Sequence, residues 1–270
     1  MKNILVVITT AFVPTGGLTT VMMNYYRMMN KEEVKIDFAS TNNPPQVLLD
    51  EIHASGSEYC QLPDRKNVLA YFFALKKLCR GYDGMHVHAN SAMAVMELQA
   101  AIWAGIKIRI IHNHSSRSQH NLLNQLFLSL YRRSFTQAVA CSDEAGEWLY
   151  GKNGFITLRN AINAKRFKFD VVKRLIMRHN FGFGDDEYVI GHIGKFMEAK
   201  NHPFLIEVFT KYHALQPKSK LLLIGDGELR HLVEAAIDKN KVNDCVILAG
   251  LRSDIPDVLQ AIDIFLFPSI

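Results

Sequence analysis

The stretch YVIGHIGKFMEAKNHPFLIEVF, Tyr188–Phe209, decides the fold. It opens with an apolar run, breaks at Gly191 and Gly194, carries Lys195 and Lys200, and continues as an amphipathic helix. KLLLIGDGELRHLVEAA, Lys220–Ala236, repeats the plan of strand, Gly225-Asp226-Gly227 loop and helix. Short continuous apolar runs bounded by glycine read as strands of a parallel sheet, with helices covering its faces. A strand-to-helix loop that carries glycine and ammonium groups suits an anionic ligand. Phosphate can lie against the free N–H groups of the helix start while lysines close over it. These loops point to a nucleotide diphosphate.

The same alternation runs outward through the first half. Strands are expected at Ile4–Ile8, Lys35–Ala39, Glu58–Gln61, Met85–His88, Ile108–His112 and Ala138–Cys141. Helices are expected near Leu18–Met29, Pro45–Ser55, Asn67–Cys79, Ser91–Ala104, Ser118–Phe135 and Asp143–Leu149. FITLRNAINAKRFKFD, Phe155–Asp170, has little periodicity and reads as a linker with a hinge near Arg159–Lys168. Strands then resume at Val189–Ile193, Leu221–Ile224, Val246–Leu248 and Ile264–Phe267, with helices between them. The expected fold class is α/β, with two Rossmann-like, doubly wound parallel-sheet domains, residues 1–163 and 164–270, facing a cleft. Ligands in such sheets bind beyond the carboxyl ends of the strands. The second domain reads as incomplete, because the chain stops at IFLFPSI, a strand end with no helix after it. An open sheet edge and an uncovered apolar face are expected there.

Composition narrows the function classes. Apolar residues make up 49% of the 270 positions and charged residues 21%, the balance of a packed globular chain. The formal charge of +5 is mild, and most of the excess sits in the first 163 residues. It is too dilute for a nucleic-acid arm, so no nucleic-acid partner is expected. The four cysteines (Cys60, Cys79, Cys141, Cys245) are scattered without zinc or CxxC spacing and read as free core thiols. The apolar core at Ile4–Ile8 is too short for a signal peptide. No stretch approaches the roughly 20 apolar residues of a membrane span, so a cytoplasmic protein is expected.

Gly16-Gly17 joins the first strand to the first helix, where paired glycines let a backbone bend sharply and approach a ligand. The pattern is not GxGxxG, so a dinucleotide fingerprint is absent. His86 and His88 end one strand, and His112 and His114 repeat the HxH arrangement at the end of the next. Residues i and i+2 share a face, so a metal pair is conceivable. No carboxylate of fitting spacing accompanies them, however, and neither HExxH nor an acidic DxD-like motif occurs. The expectation is no metal, with one imidazole of the second pair lining the cleft and His86 and His88 as satisfied buried rings. Ser142-Asp143-Glu144 reads as a helix N-cap with acids in the first turn, since no GxSxG elbow surrounds the serine. The helices NVLAYFFALKKLCR and HNLLNQLFLSLYRR mix apolar and terminal basic residues. Such a stripe is either a core face with snorkelling ends or a surface that rests on an anionic bilayer.

With these residues in place, the sequence resembles the family 4 glycosyltransferases of the GT-B fold, in their bacterial capsular and exopolysaccharide branch. The resemblance runs over essentially the whole chain. It rests on GGLTTVMMNYYR, DGMHVHAN, IIHNHS, CSDEAGEWLYG and LRNAINAKRFKFD, and most specifically on IGHIGKFMEAKNHPFLIEVF, LLLIGDGELR and VILAGLRSDIPDVLQAIDIFLFPS. It implies metal-independent transfer of a sugar, with retention, from a nucleotide-diphosphate donor to a saccharide or lipid-linked saccharide. No cofactor is needed, the donor lies mainly on the C-terminal domain, and a peripheral contact with the inner face of the plasma membrane fits the acceptor.

Residue by residue, the resemblance assigns Gly16 and Gly17 to a glycine turn near the donor phosphates and Lys200 to the diphosphate. Lys195 stands where the family usually has arginine, and keeps the charge without the planar fork. His114, with His112 as second choice, matches a histidine near the donor sugar. Gly225, Gly227, Gly250 and Leu251 match loops beside the nucleotide, and Gly194 and Asn201 complete the donor set around the lysines. His114, Lys195 and Lys200 are the expected catalytic residues. Two glutamates that the family carries beyond FPS lie past Ile270, so the resemblance implies a C-terminally truncated form with impaired activity. Two rival readings remain: a non-catalytic remnant that binds nucleotide weakly, and a GT-B sugar-nucleotide epimerase.

Overall fold

The structure is a computed structural model that describes residues 1–116 and 121–269. The chain divides into two compact units, Met1–Ile162 and Asn163–Ile270.

The first unit is a seven-stranded parallel sheet in the order β3-β2-β1-β4-β5-β6-β7. Its strands are β1 (Lys2–Ile8), β2 (Val34–Ser40), β3 (Tyr59–Gln61), β4 (Gly84–Ala89), β5 (Ile108–Asn113), β6 (Gln137–Ala140) and β7 (Phe155–Thr157). The crossovers carry α1 (Gly17–Met28), α2 (Gln46–Ala54), α3 (Val68–Cys79), α4 (Val95–Ala104), α5 (Asn121–Ser134) and α6 (Asp143–Tyr150). β1 shows why the sheet is covered twice. Leu5 and Val7 join one buried cluster with Met85, Val87 and Ile111. Val6 and Ile8 join another with Met22, Met23 and Tyr26 of α1 and Leu48 and Ile52 of α2. Each such side chain stabilises the fold by about 1.5–3 kcal/mol when fully buried.

Strand order reverses between β1 and β4, which makes their carboxyl ends the switch point where ligands of such sheets bind. α4, which follows β4, carries a buried polar anchor. Glu97 of α4 is buried and meets Arg65 at 2.9 Å and the Tyr71 hydroxyl, which donates to it, at 2.9 Å.

The second unit is a four-stranded parallel sheet in the order β10-β9-β8-β11. It comprises α7 (Val171–Phe181), β8 (Tyr188–Ile193), α8 (His202–Leu215), β9 (Ser219–Ile224), α9 (Arg230–Asn240), β10 (Val246–Leu248), α10 (Ile255–Val258) and β11 (Ile264–Phe265). Ile190, Leu221 and Leu223 pack against α8 and α9, while Val189, Leu222 and Ile224 pack against Met177 of α7 and Val258 of α10. Here the order reverses between β8 and β11. β11 forms one edge of this sheet, and Ile264 and Phe265 are exposed on it.

The sheet strands expected from sequence are all present, within a residue or two at their ends. Two features correct the sequence reading. The start of the supposed linker is β7, which pairs with β6 through Ala138–Phe155, Val139–Ile156 and Ala140–Thr157. Its end leads into α7, whose start is fixed by Asp170, the side chain accepting from the N–H groups of Val172 and Lys173. Ser91–Ala104 divides into a 3-10 turn over Ala92–Ala94 and α4. The first three residues of the helix expected from Ser118 lie outside the described residues. All four cysteines are free as expected; Cys79 is buried in the core, and Cys60, Cys141 and Cys245 pack partly buried against core clusters.

Candidate functional site

In the second unit the loops after β8, β9 and β10 are bound to one another backbone to backbone. Gly194 N–H donates to Ile224 O at 2.9 Å, Phe196 N–H to Asp226 O at 3.0 Å, and Gly225 N–H to Gly250 O at 2.9 Å. Gly225 has φ +138°, and a Cβ there would stand 2.0 Å from Gly194 O. A Cβ on Gly227 would stand 2.5 Å from Phe196 O. These glycines serve the packing of loop on loop, which leaves a rigid backbone crest at the carboxyl end of the sheet. Leu251, next along, is exposed.

The two lysines of the β8 loop diverge. Lys195 is 59% exposed and lies 3.7 Å from Glu228, on the β9 side. Lys200 turns the other way, towards the segment after β11, with Nζ 3.4 Å from Ser269 Oγ and 4.9 Å from the Phe267 ring centre. It therefore sits at the β8/β11 switch point. Among the described residues no carboxylate lies within ion-pair reach of Lys200. Asn201 follows in the left-handed region (φ +49°) and starts α8 without a side-chain cap.

Two histidines stand beside Lys200 that the sequence reading did not single out. His192 shares a 2.8 Å hydrogen bond with Leu266 O, and its ring packs edge-on against His202 at 5.0 Å. Burial, then the His192 ring and the Lys200 charge, lower His202 to about 4. Both rings are neutral near pH 7, so Lys200 is the cation of this corner. Strand alternation offered a signal for His192, which shares a face with Ile190.

In the first unit the glycine turn is pinned in place. Thr9 Oγ1 donates to His88 O at 3.0 Å across the switch point. Phe12 N–H donates to Asn42 Oδ1 at 2.7 Å, and Val13 N–H to Thr19 Oγ1 at 3.2 Å. Gly16 has φ −75° and Gly17 starts α1 with no atom within 4 Å of a built Cβ. The sharp bend expected of the pair is therefore not made by glycine-only torsions. What Gly17 leaves is open space in front of an α1 start that has no side-chain cap.

The four histidines form one cluster beside that turn. Register pairs His88 with Ile8 and with His112, and parallel neighbours share a face, so the imidazoles continue the apolar face of Val6 and Ile8. His88 Nδ1 and His114 Nε2 share a hydrogen bond of 2.9 Å. His86 stacks on His112 at 5.6 Å, and His112 on His114 at 4.1 Å. Among the described residues, His86 Nε2 and both nitrogens of His112 are buried with no hydrogen-bond partner. His86 is thus not the satisfied ring expected from sequence. A buried polar atom left unpaired costs about 1–3 kcal/mol. Burial, reinforced by neighbouring imidazoles, lowers His86 to about 4 and His112 to about 2, and burial alone lowers His114 to about 4.

Ser142 accepts from Ala145 N–H at 3.2 Å, the capping role its sequence implies. The two basic helices divide their apolar residues between core and surface. α5 buries Tyr131 yet leaves Leu122, Leu126 and Leu130 at 84%, 71% and 48% exposure, one stripe at helical spacing ahead of Arg132 and Arg133. α3 buries Tyr71, Leu75 and Cys79 and exposes Leu69 and Phe73. No helix among the described residues is long and apolar enough to cross a membrane.

Two parallel-sheet units, one with a glycine turn and one with a lysine-bearing crest, are the architecture of the GT-B fold. Residues 187–270 match the family model described as glycosyl transferases group 1. EpsF of Bacillus subtilis, which is named as a glycosyltransferase, is 27% identical over 94% of this chain and 70% of its own length. An Escherichia coli enzyme, UDP-Gal:alpha-D-GlcNAc-diphosphoundecaprenol alpha-1,3-galactosyltransferase, is 23% identical over 94% of this chain and 70% of its own. Among solved structures, Anabaena HepE in complex with UDP and glucose superposes with a TM-score of 0.82 at 17% identity, over 100% of this chain and 74% of that one. The group 1 match covers residues 187–270, and over most of its length the chain is similar to glycosyltransferases.

Proposed function

We propose that the protein transfers a sugar, with retention and without a metal at the diphosphate, from a UDP-sugar to a saccharide carried on a lipid diphosphate. The observation that carries this reading is Lys200, an ammonium group at a switch point with no carboxylate beside it among the described residues. A donor diphosphate would supply the missing negative charge. As the glycosidic bond breaks, charge builds on the departing phosphate, where Lys200 and the more exposed charge of Lys195 stabilise it. The acceptor hydroxyl attacks from the face that the phosphate leaves, and its proton passes to the departing phosphate oxygen. His114 is assigned a hydrogen bond to the transferred sugar, with His112 as the second choice. Uridine as the base is supported by the UDP-bound complexes of HepE, and a lipid diphosphate acceptor by the name of the Escherichia coli relative. The exposed leucines of α5, followed by two arginines, support a peripheral membrane contact.

The test is Lys200→Ala, assayed for transfer from UDP-sugars and for UDP binding by calorimetry, with circular dichroism as the check on folding. Transfer should be lost while the fold stays intact; unchanged turnover defeats the assignment. Nucleotide binding with no turnover of any donor by the unaltered chain would favour the non-catalytic reading instead.

A further inference from the structure

The donor reading leaves part of the histidine cluster without a task. His86, His88 and His112 each place a ligand nitrogen within 4.8 Å of the other two, on adjacent strands and on one face of the sheet. His86 Nε2 and both nitrogens of His112 have no hydrogen-bond partner among the described residues although they are buried. His88 gives Nδ1 to His114, which leaves its Nε2 as a ligand atom and fixes the ring. A ligating histidine that is held through its other nitrogen is the usual arrangement around a bound metal.

We propose that His86, His88 and His112 form a binding site for a divalent transition-metal ion, with His114 as the outer-shell residue that orients His88. The chemistry of the donors chooses the ion. Three imidazoles suit zinc, nickel or copper, and offer nothing to magnesium or calcium, which take oxygen. Zinc bonds to imidazole at about 2.0–2.1 Å, which in tetrahedral geometry sets ligand nitrogens about 3.3 Å apart. From a spread of 4.8 Å the rings close on the ion by small turns about χ1 and χ2. Strand backbone already sets the residues side by side, so the ion would clip β4 to β5 at the carboxyl end of the sheet. The site belongs to the first unit and the lysine-bearing crest to the second, and the ion takes no part in neutralising the diphosphate.

The probe is Zn²⁺ alone, titrated into the full chain against a chromophoric chelator, with Co²⁺ absorption as the readout of coordination. One ion per chain is expected, with the intense visible bands of four-coordinate cobalt. His86→Gln and His112→Gln keep the side-chain volume close to that of the ring, and each should weaken Zn²⁺ binding at least a hundredfold and abolish the cobalt bands. His114→Gln should weaken binding 10–100-fold, the range for an outer-shell partner. His53→Ala, which removes an exposed histidine beside Glu58, and Lys200→Ala should both leave Zn²⁺ affinity unchanged. The proposal is overturned if the unaltered chain binds no Zn²⁺ in the micromolar range, or if well-folded His86→Gln and His112→Gln chains bind it as tightly as the parent. Loss of transfer in Lys200→Ala with Zn²⁺ binding intact keeps this inference distinct from the donor assignment.

Discussion

Gly225 presses its Cα against the carbonyl of Gly194, so that any Cβ at position 225 would stand 2.0 Å from that oxygen. The contact joins the loop after β9 to the loop that carries Lys195 and Lys200. It is backbone against backbone, with no flexible side chain to yield, and Gly225 also holds φ at +138°. Gly225→Ala should therefore destabilise the second unit by at least about 2 kcal/mol. Thermal unfolding followed by circular dichroism checks this, and a melting temperature within a degree of the parent would refute it.

Gly17 provides the contrast. Its surroundings are open, and its position at the start of α1 accepts alanine at no steric cost. Gly17→Ala should leave stability unchanged or raise it by up to about 1 kcal/mol through helix propensity. If a donor phosphate approaches this turn, the added methyl should raise the KM for the nucleotide sugar several-fold. An unaltered KM would mean that the open space has no ligand-binding use.

The lysines predict unequal effects. Lys195 is largely exposed and already near Glu228, so its contribution to phosphate binding is screened. Lys195→Ala should weaken UDP binding by about 1 kcal/mol, five- to tenfold, while Lys200→Ala should cost considerably more. Lys195→Arg should recover or improve on the parent, because the guanidinium fork can hold two phosphate oxygens. Calorimetric UDP affinities decide; equal losses at 195 and 200 would contradict the geometry.

Much of this was legible in the sequence, and the exceptions share a cause. The strands of YVIGHI and KLLLIG announce themselves as apolar runs because both faces of a parallel sheet are buried. β7 did not, because FIT is three residues between turn residues, and its identity as a strand comes from pairing with β6. α7 carries its own signals in Asp170 before it and Gly182 after it, and was obscured by the unpatterned segment that precedes it. The chemistry was harder. Strand periodicity puts His86 and His88 on one face, but which ring finds a partner depends on register with β5, a long-range fact. Likewise, the lysines at 195 and 200 look like a pair in the chain and part only because β9 and β11 flank β8 on opposite sides.

The leucine stripe of α5 gives a prediction about surfaces. Leu122, Leu126 and Leu130 lie four residues apart on the exposed side, ahead of Arg132 and Arg133. An apolar stripe with basic flanks adsorbs to anionic bilayers. Sedimentation with vesicles rich in phosphatidylglycerol should carry the protein down, and Leu126→Glu should release it without changing its melting temperature. Equal sedimentation of the variant, or none of the parent, would leave the stripe without this role.

Acid should unfold the protein through its histidines. In the folded state burial holds His86, His114 and His202 at about 4 and His112 at about 2, whereas in the unfolded chain they titrate near the ordinary value of about 6.5. Between those values the unfolded chain binds protons that the folded chain refuses. Stability is therefore fully present above about pH 7 and falls as the pH drops from about 6.5 towards 4, by up to about 1.4 kcal/mol per pH unit for each imidazole involved. The same depression means that His114 is neutral throughout the range in which transfer is assayed, so no inflection near pH 6.5 should come from it. Urea unfolding at pH 7, 6 and 5 measures the slope. A profile that is flat over that interval, or that rises towards acid, would show that these rings are solvated and chargeable in the folded protein.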